Sequence, residues 1–226
     1  MPNAISTRWL PIDSKAAYRF YLEADKLALR ALRIKERTIM LRITDALGLT
    51  SIIWRYQRLL RKAEYYNNCK TSSFYKPYKA YLLFRLQRLG LRLGFQIPLN
   101  VFGPGLSIAH YGTIIVNYDA RVGANCGLMN LVYIANKTAR TLSPTIGDNV
   151  YIGPGARLLG DITVADGTVV GANSVVTKSI LKPNTTVAGA PAHKISDRGT
   201  ESYWRPGQHD ALIRYVSAHK DQFAEK

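Results

Sequence analysis

Cysteine is scarce: Cys69 and Cys126 are the only two among 226 residues. That is too few for a disulfide framework and fits a reducing compartment. Long apolar runs are missing as well. No window approaches the roughly 18 uninterrupted apolar residues that a membrane-spanning helix needs. Arg8, Asp13, Lys15 and Arg19 occupy the stretch where a secretory apolar segment would lie. A cytoplasmic chain is therefore expected. Neither a Walker loop nor a Gly-x-Gly-x-x-Gly after a strand is present, so the common nucleotide-binding motifs are excluded. Acidic residues are thin in the first part of the chain. Residues 1–96 hold 19 Lys/Arg against 6 Asp/Glu, a net +13 of the formal +16. An excess placed this way suits an anionic partner, either a phosphorylated substrate or a membrane surface. It comes with no nucleic-acid recognition motif, so nucleic acid is not an expected partner.

What is present divides into two periods. From residue 15 to about 94 apolar residues recur at helical spacing, as in Leu27-Ala28-Leu29-Arg30-Ala31-Leu32. Asp13 or Ser14 is placed to cap the first helix, and Gly48 or Thr50 marks a break before the next. A second helix is expected from Ile52 to Asn67, a loop over Asn67-Asn68 and Thr71-Ser72-Ser73, and a basic amphipathic helix from about Tyr78 to Leu93. In that last helix Arg85, Arg88 and Arg92 share one side. Leu82, Leu83, Phe84, Leu86 and Leu89 either pack on neighbours or meet a membrane interface.

Beyond Ile97 the period becomes six. Val116, Val122, Leu128 and Ile134 are followed in the same phase by Ile146, Ile152, Leu158, Val164, Val170 and Val176; only the slot at Arg140 fails. Each hexad supplies a short strand with one aliphatic residue pointing inward, then a turn where Gly or Asn tolerates positive φ. Three hexads close a triangular coil, and stacked coils bury a continuous aliphatic column. The failed slot fits a loop, 137–144, ejected from a coil corner without shifting the register. The expected fold is mainly β, a parallel β-helix. Its organisation is a basic α-helical segment over 1–96, the β-helix over 97–195, and a tail with a helix over 196–226.

The segment Asn100-Val101-Phe102-Gly103-Pro104-Gly105-Leu106-Ser107-Ile108-Ala109-His110 carries a further signal. So do Gly147-Asp148-Asn149-Val150-Tyr151-Ile152-Gly153-Pro154-Gly155-Ala156 and Val187-Ala188-Gly189-Ala190-Pro191-Ala192. In these the chain resembles the hexapeptide-repeat acyltransferases, serine acetyltransferase-like branch. The helical segment, with Trp54-Arg55-Tyr56-Gln57 and Glu64-Tyr65-Tyr66, is similar to sugar O-acetyltransferases of capsule and exopolysaccharide assembly. The resemblance implies a left-handed β-helix, acetyl-CoA as co-substrate, no metal, and a homotrimer whose cofactor groove lies between prisms. It puts His110 in the position of the catalytic base, where an imidazole with an ordinary pKa near 6.5 accepts the hydroxyl proton. By position Gly153, Ala156, Gly171 and Ala172 would line the groove. Lys178 and Lys194 would meet the cofactor phosphates, and Pro191 would turn the tail over the adenine end. Asn100 and Asn117 are candidates for the acceptor side and for orienting the base.

Three departures from serine acetyltransferases bear on the acceptor. Ala109 stands where they carry an acid before the histidine, Phe95-Gln96-Ile97 covers their orienting Asp, and Leu142-Ser143 replaces their substrate-binding Arg-His pair. A carboxylate substrate favours an arginine fork. The chain ends Ala224-Glu225-Lys226, without the terminal Ile that docks into cysteine synthase, so that partner is not expected. The expected function from these departures is O-acetylation of a free or lipid-linked saccharide in surface polysaccharide assembly, with peripheral contact at the inner membrane face. The alternative is serine O-acetylation for cysteine biosynthesis.

Overall fold

A computed structural model describes residues 9–32, 52–138, 142–203 and 209–225. The expected break at Gly48 or Thr50 and the failed slot at Arg140 lie outside them. Helix α1 (Lys15–Leu32) is capped by Ser14, whose Oγ accepts from the Ala17 amide at 3.1 Å. Helix α2 (Ile52–Cys69) runs past the loop expected at Asn67-Asn68. Asn68 instead donates from the helix end to the Ile12 carbonyl at 3.0 Å and to Asn100 Oδ1 at 2.9 Å. A 3-10 turn (Ser73–Tyr75) leads into α3 (Lys76–Leu93), which starts before Tyr78 because Pro77 is tolerated in a first turn. Gly94 ends α3 at φ 78°.

The strands follow as β1 (Phe95–Gln96), β2 (Ser107–Ile108), β3 (Ile114–Val116), β4 (Arg121–Val122), β5 (Gly127–Leu128), β6 (Val132–Ala135) and β7 (Thr145–Ile146). Then come β8 (Tyr151–Ile152), β9 (Arg157–Leu159), β10 (Thr163–Val164), β11 (Val169–Val170), β12 (Val175–Val176), β13 (Thr186–Gly189) and β14 (Ala192–Ser196). They form three sheets: β1-β3-β6-β9-β12, β4-β7-β10, and β2-β5-β8-β11-β13-β14. These are the first, second and third faces of a parallel β-helix, and among its described strand pairs only the β13–β14 hairpin is antiparallel.

Register shows how the repeat closes. Thr145 pairs with Thr163 and Tyr151 with Val169, eighteen residues on, so a coil is three hexads. Across the failed slot Arg121 pairs with Thr145 and Ile134 with Leu158, twenty-four on. One hexad therefore leaves the corner and the register is preserved. All ten repeat aliphatics are buried, from Ile134 and Ile152 at 0% exposure to Val122 at 5%. Asn125, Asn149 and Asn173 take positive φ at the corners.

Helices α2 and α3 share the core of the coils, whereas Ile12 and the α1 residues Ala17, Phe20 and Tyr21 cluster with Phe223 of the tail. Ile53, Tyr56, Leu60, Leu82, Leu86 and Leu93 join one cluster with Phe95, Val101, Leu106 and the coil aliphatics, so α2 and α3 cap the first coil. Leu82 and Leu86 serve packing as one of the two sequence readings has it, whereas Leu83 and Phe84 are exposed. Helix α4 (Thr200–Tyr203) lies on the coils, where Thr200 bonds the Asn149 and Gly167 carbonyl oxygens, and α5 (Asp210–Ala218) and α6 (Lys220–Phe223) return to α1. There Leu212 and Val216 pack with Ala24 and Ala28, and Phe223 stacks on Phe20 at 4.7 Å between ring centres.

The polar seam between helices and coils is Arg61, fully buried. Its Nε donates to Asp25 Oδ2 at 2.9 Å, and Nη1 to Glu64 Oε2 at 3.1 Å and the Phe102 carbonyl at 2.8 Å. Its Nη2 donates to Asp25 Oδ1 at 3.2 Å and the Gly103 carbonyl at 2.7 Å. Burial pushes both carboxyls above the ordinary carboxylate range, with Arg61 opposing. Arg61→Ala leaves two buried acids without their cation. It should lower the unfolding free energy by about 3–5 kcal/mol, read by urea denaturation.

A second carboxyl sits at the corner between the second and third faces. Burial pushes Asp148 up from 3.8 to about 6, against hydrogen bonds from the Ala124 amide at 2.7 Å and Trp9 Nε1 at 2.9 Å. The native carboxyl thus keeps its proton at pH values where the unfolded chain has released it. The stability it contributes is present below about pH 4 and lost as pH rises through about 6, on the order of 3 kcal/mol in all. Asp148→Asn should gain on the parent by roughly that amount between pH 4 and 7 in urea titrations.

Candidate active site

His110 follows β2, where the chain turns from the third face to the first. The Ala109 amide donates to the Leu128 carbonyl at 3.0 Å and the Gly112 amide to the Leu93 carbonyl at 2.9 Å, so both sides of the turn are fixed. His110 itself is exposed, beside Tyr111 at 72% exposure. Its imidazole has no hydrogen-bond partner among the described residues, which fits Phe95-Gln96-Ile97 standing where the resemblance puts an orienting Asp.

The same corner recurs one coil at a time above His110. The Gly155 amide donates to the Asn130 carbonyl at 3.0 Å and the Asn173 amide to the Pro154 carbonyl at 2.8 Å. The ridge therefore reads His110, Asn130, Pro154, Ala172 and then the β13–β14 turn at Gly189-Ala190-Pro191. Strands spaced about 4.8 Å apart put that turn roughly 19 Å from His110. Of the expected cofactor residues, Gly153, Gly171, Ala172 and Pro191 share this ridge. Gly153 is also required by the coil itself, since a Cβ there would stand 2.8 Å from the Val170 carbonyl oxygen.

The remaining candidates fall elsewhere. Ala156 is fully buried because it lies two residues before Leu158 and shares its inward face, so its methyl lines no groove. Lys178 lies at the next corner, between the first and second faces. Lys194 is engaged by Asp197 at 3.0 Å, an acid also held by Lys182 at 2.7 Å. Asn100 and Asn117 are at the Lys178 corner and do not reach His110 within one chain. Asn100 takes the Glu64 carboxylate on its amide at 2.9 Å, while Asn117 Oδ1 accepts from the Asp119 amide at 2.9 Å. Leu142 and Ser143 flank that corner too, exposed and buried respectively. Burial pushes the Cys126 thiol far up and raises Cys69 as well, which disfavours the thiolate at both.

The Arg61–Asp25–Glu64 cluster was not anticipated. Its sequence signal is that Glu64 is the one acid in residues 46–96, three residues after Arg61. Asp25 Oδ1 accepts from the Gly105 and Leu106 amides at 3.0 and 2.9 Å, so the cluster holds the strand entry that ends at His110.

With this geometry in hand, residues 143–178 match the bacterial transferase hexapeptide repeat (six repeats). Over those residues the chain carries the repeat of the bacterial hexapeptide transferases. It is 32% identical over 114 residues to serine acetyltransferase of Salmonella typhimurium, covering 48% of this chain and 41% of that protein. It is 35% identical over 126 residues to serine acetyltransferase of Staphylococcus xylosus, covering 54% and 58%. The chain thus spans about half the length of the curated relatives it matches. Serine acetyltransferase from Brucella abortus in complex with coenzyme A superposes with a TM-score of 0.66 at 24% identity, over 83% of this chain and 71% of that one. The soybean enzyme complexed with serine gives 0.60 at 26% identity, over 80% and 70%.

The fold of this hexapeptide-repeat chain is thus the left-handed parallel β-helix, with helices at both ends. The same findings overturn the expected saccharide acceptor and the place in polysaccharide assembly. The relatives and structures named are serine acetyltransferases. The three departures weigh less than sequence likeness at 32% and 35% identity. Among the described residues no helix is long and apolar enough to cross a membrane.

Proposed function

We propose that this chain transfers acetyl from acetyl-CoA to the hydroxyl of serine, with His110 as general base. The observation supporting this is the likeness, in sequence and fold together, to serine acetyltransferases, with an exposed histidine where the resemblance puts the base. An imidazole nitrogen of His110 takes the hydroxyl proton as the oxygen attacks the thioester carbonyl. The C–S bond then breaks, and the imidazolium returns the proton to the departing thiolate. Charge that develops on the carbonyl oxygen needs a fixed donor, and backbone amides along the ridge are of the right kind. Ala172 and Pro191 are the ridge residues left open to a pantetheine arm, and Lys178 is an exposed cation for its phosphates.

A homotrimer completes this reading. Leu142 and Ser143, at the positions the resemblance gives to the acceptor, lie at a different corner from His110. A neighbouring prism is what would bring Lys178 and the acceptor-side residues of one chain opposite His110 of another.

The test is thiol release from acetyl-CoA with serine as acceptor. Serine-dependent release is expected, with a KM above about 1 mM, the top of the usual range, because no arginine fork stands at 142–143. Absence of serine-dependent release would remove this function. His110→Ala should lower kcat about 100-fold or more with the oligomer unchanged by light scattering. Turnover near that of the parent would take His110 out of the mechanism.

A further inference from the structure

Away from the ridge, α2 and α3 form a helical hairpin with a cleft of about 420 Å³ between them. Its walls carry Arg55, Arg58 and Lys62 from α2 and Arg85, Arg88 and Arg92 from α3. Each trio follows the same spacing, i, i+3 and i+7, which puts its members on one stripe of its helix. The two stripes face each other, and among the described residues no acidic side chain lines the cleft. We propose that it binds a small polyanion carrying two or more phosphate groups.

The charge balance points outward from the protein. Residues 46–96 carry ten Lys/Arg and one acid, Glu64. That acid is buried against Arg61 at 3.1 Å and compensates none of the six. Elsewhere on the described surface cations do find acids, as Lys26 finds Glu23 at 3.2 Å and Lys182 finds Asp197 at 2.7 Å. Like charges three and four residues apart on a helix repel one another. An arrangement of two such stripes, facing, is unfavourable until an anion enters.

The side chains are also arranged for phosphate. Arg85 lies 5.7 Å over the Tyr81 ring, with its Nη1 donating to the Tyr81 hydroxyl at 3.2 Å, and Arg88 lies 5.7 Å over Phe84. Lys62 sits 5.4 Å over the Tyr78 ring. Aromatic support of this kind holds a cation without consuming all its donors. Guanidinium forks match phosphate oxygens two at a time, which lysines do not. Five of the six cations are arginines. The volume falls within the roughly 300–1,000 Å³ of small-molecule sites and admits a diphosphate-sized group rather than a helix or strand.

The site is separate from the proposed acetyl transfer, and its test does not depend on that activity. Titration calorimetry on the full chain would use inorganic pyrophosphate and tripolyphosphate, with chloride at matched ionic strength as the control. Saturable binding of one anion per cleft is expected. In Arg58→Ala/Arg88→Ala the dissociation constant should rise about tenfold or more, with thiol release at saturating substrates unchanged. Arg58→Lys/Arg88→Lys keeps the charge and the fold. It should still weaken binding, which is the decisive reading if the alanine variant does not fold. Pyrophosphate heats no larger than those of chloride, or undiminished in both variants, would overturn the assignment to a soluble ligand. Co-sedimentation with phosphatidylcholine vesicles, with and without cardiolipin, separates the two sources of paired phosphates. Retention by cardiolipin alone, lost in the same variants, gives the cleft to a lipid headgroup. No retention and no pyrophosphate binding sinks the proposal.

Discussion

A buried guanidinium joins the two halves of this molecule. Arg61 has no solvent to fall back on, so each of its donors must be met inside, and the partners come from three places. Asp25 is on α1, Glu64 is on α2 itself, and the Phe102 and Gly103 carbonyls belong to the first coil. Asp25 then turns its second role outward, accepting the Gly105 and Leu106 amides. A buried ion network of this type contributes little net stability compared with an apolar filling. What it does impose is a single arrangement, because any shift of helix against coil strands a charge.

The consequence reaches the candidate site. Only β2 separates the amides held by Asp25 from the turn bearing His110, and β2 pairs directly with β5 in the coil above. The imidazole itself is unrestrained by protein partners in the described residues, but the backbone carrying it is fixed on both sides. The β-helix then extends that turn into a ridge whose outward positions are small because the next coil passes so close. The same tight stacking that makes glycine necessary at residue 153 leaves a smooth edge suited to an extended thioester arm. Under the proposed function packing and binding would use the same residues, and residue type alone does not separate the two roles.

Charge is distributed by a different logic. The coils are nearly neutral and their few acids serve corners, as Asp148 and Asp166 do in accepting amides from adjacent turns. The helices hold almost all the excess cation. There the hydrophobic demand is met on one side by Leu82, Leu86 and Leu93, which dock on the first coil. The opposite stripe is left to arginine. One helix face is committed to the fold and the other is not.

How much of this was legible beforehand differs between levels. The six-residue period contains the coil, its inward column and even the ejected hexad, because a β-helix repeats one local environment and each copy reports on the others. Helix α3 was legible for the same reason of periodicity, whereas the end of α2 was not. Asn67-Asn68 reads as a breaker until Ile12 and Asn100 arrive to accept from it. The flanking motif singles out His110 along the chain, but Asn100, Asn117 and Lys178 are not separable from it there. The corner each occupies depends on which face a residue follows, and that is a property of the closed triangle. Ala156 was misplaced because only the coil shows that two residues' separation from Leu158 turns it inward. The sequence by itself determined the repeat, the phase of its core and the asymmetry of charge, all of which are local patterns. Tertiary structure alone decided which charges are buried together, which face one another across a cleft, and which corner holds the histidine, because those depend on residues distant in the chain meeting in space.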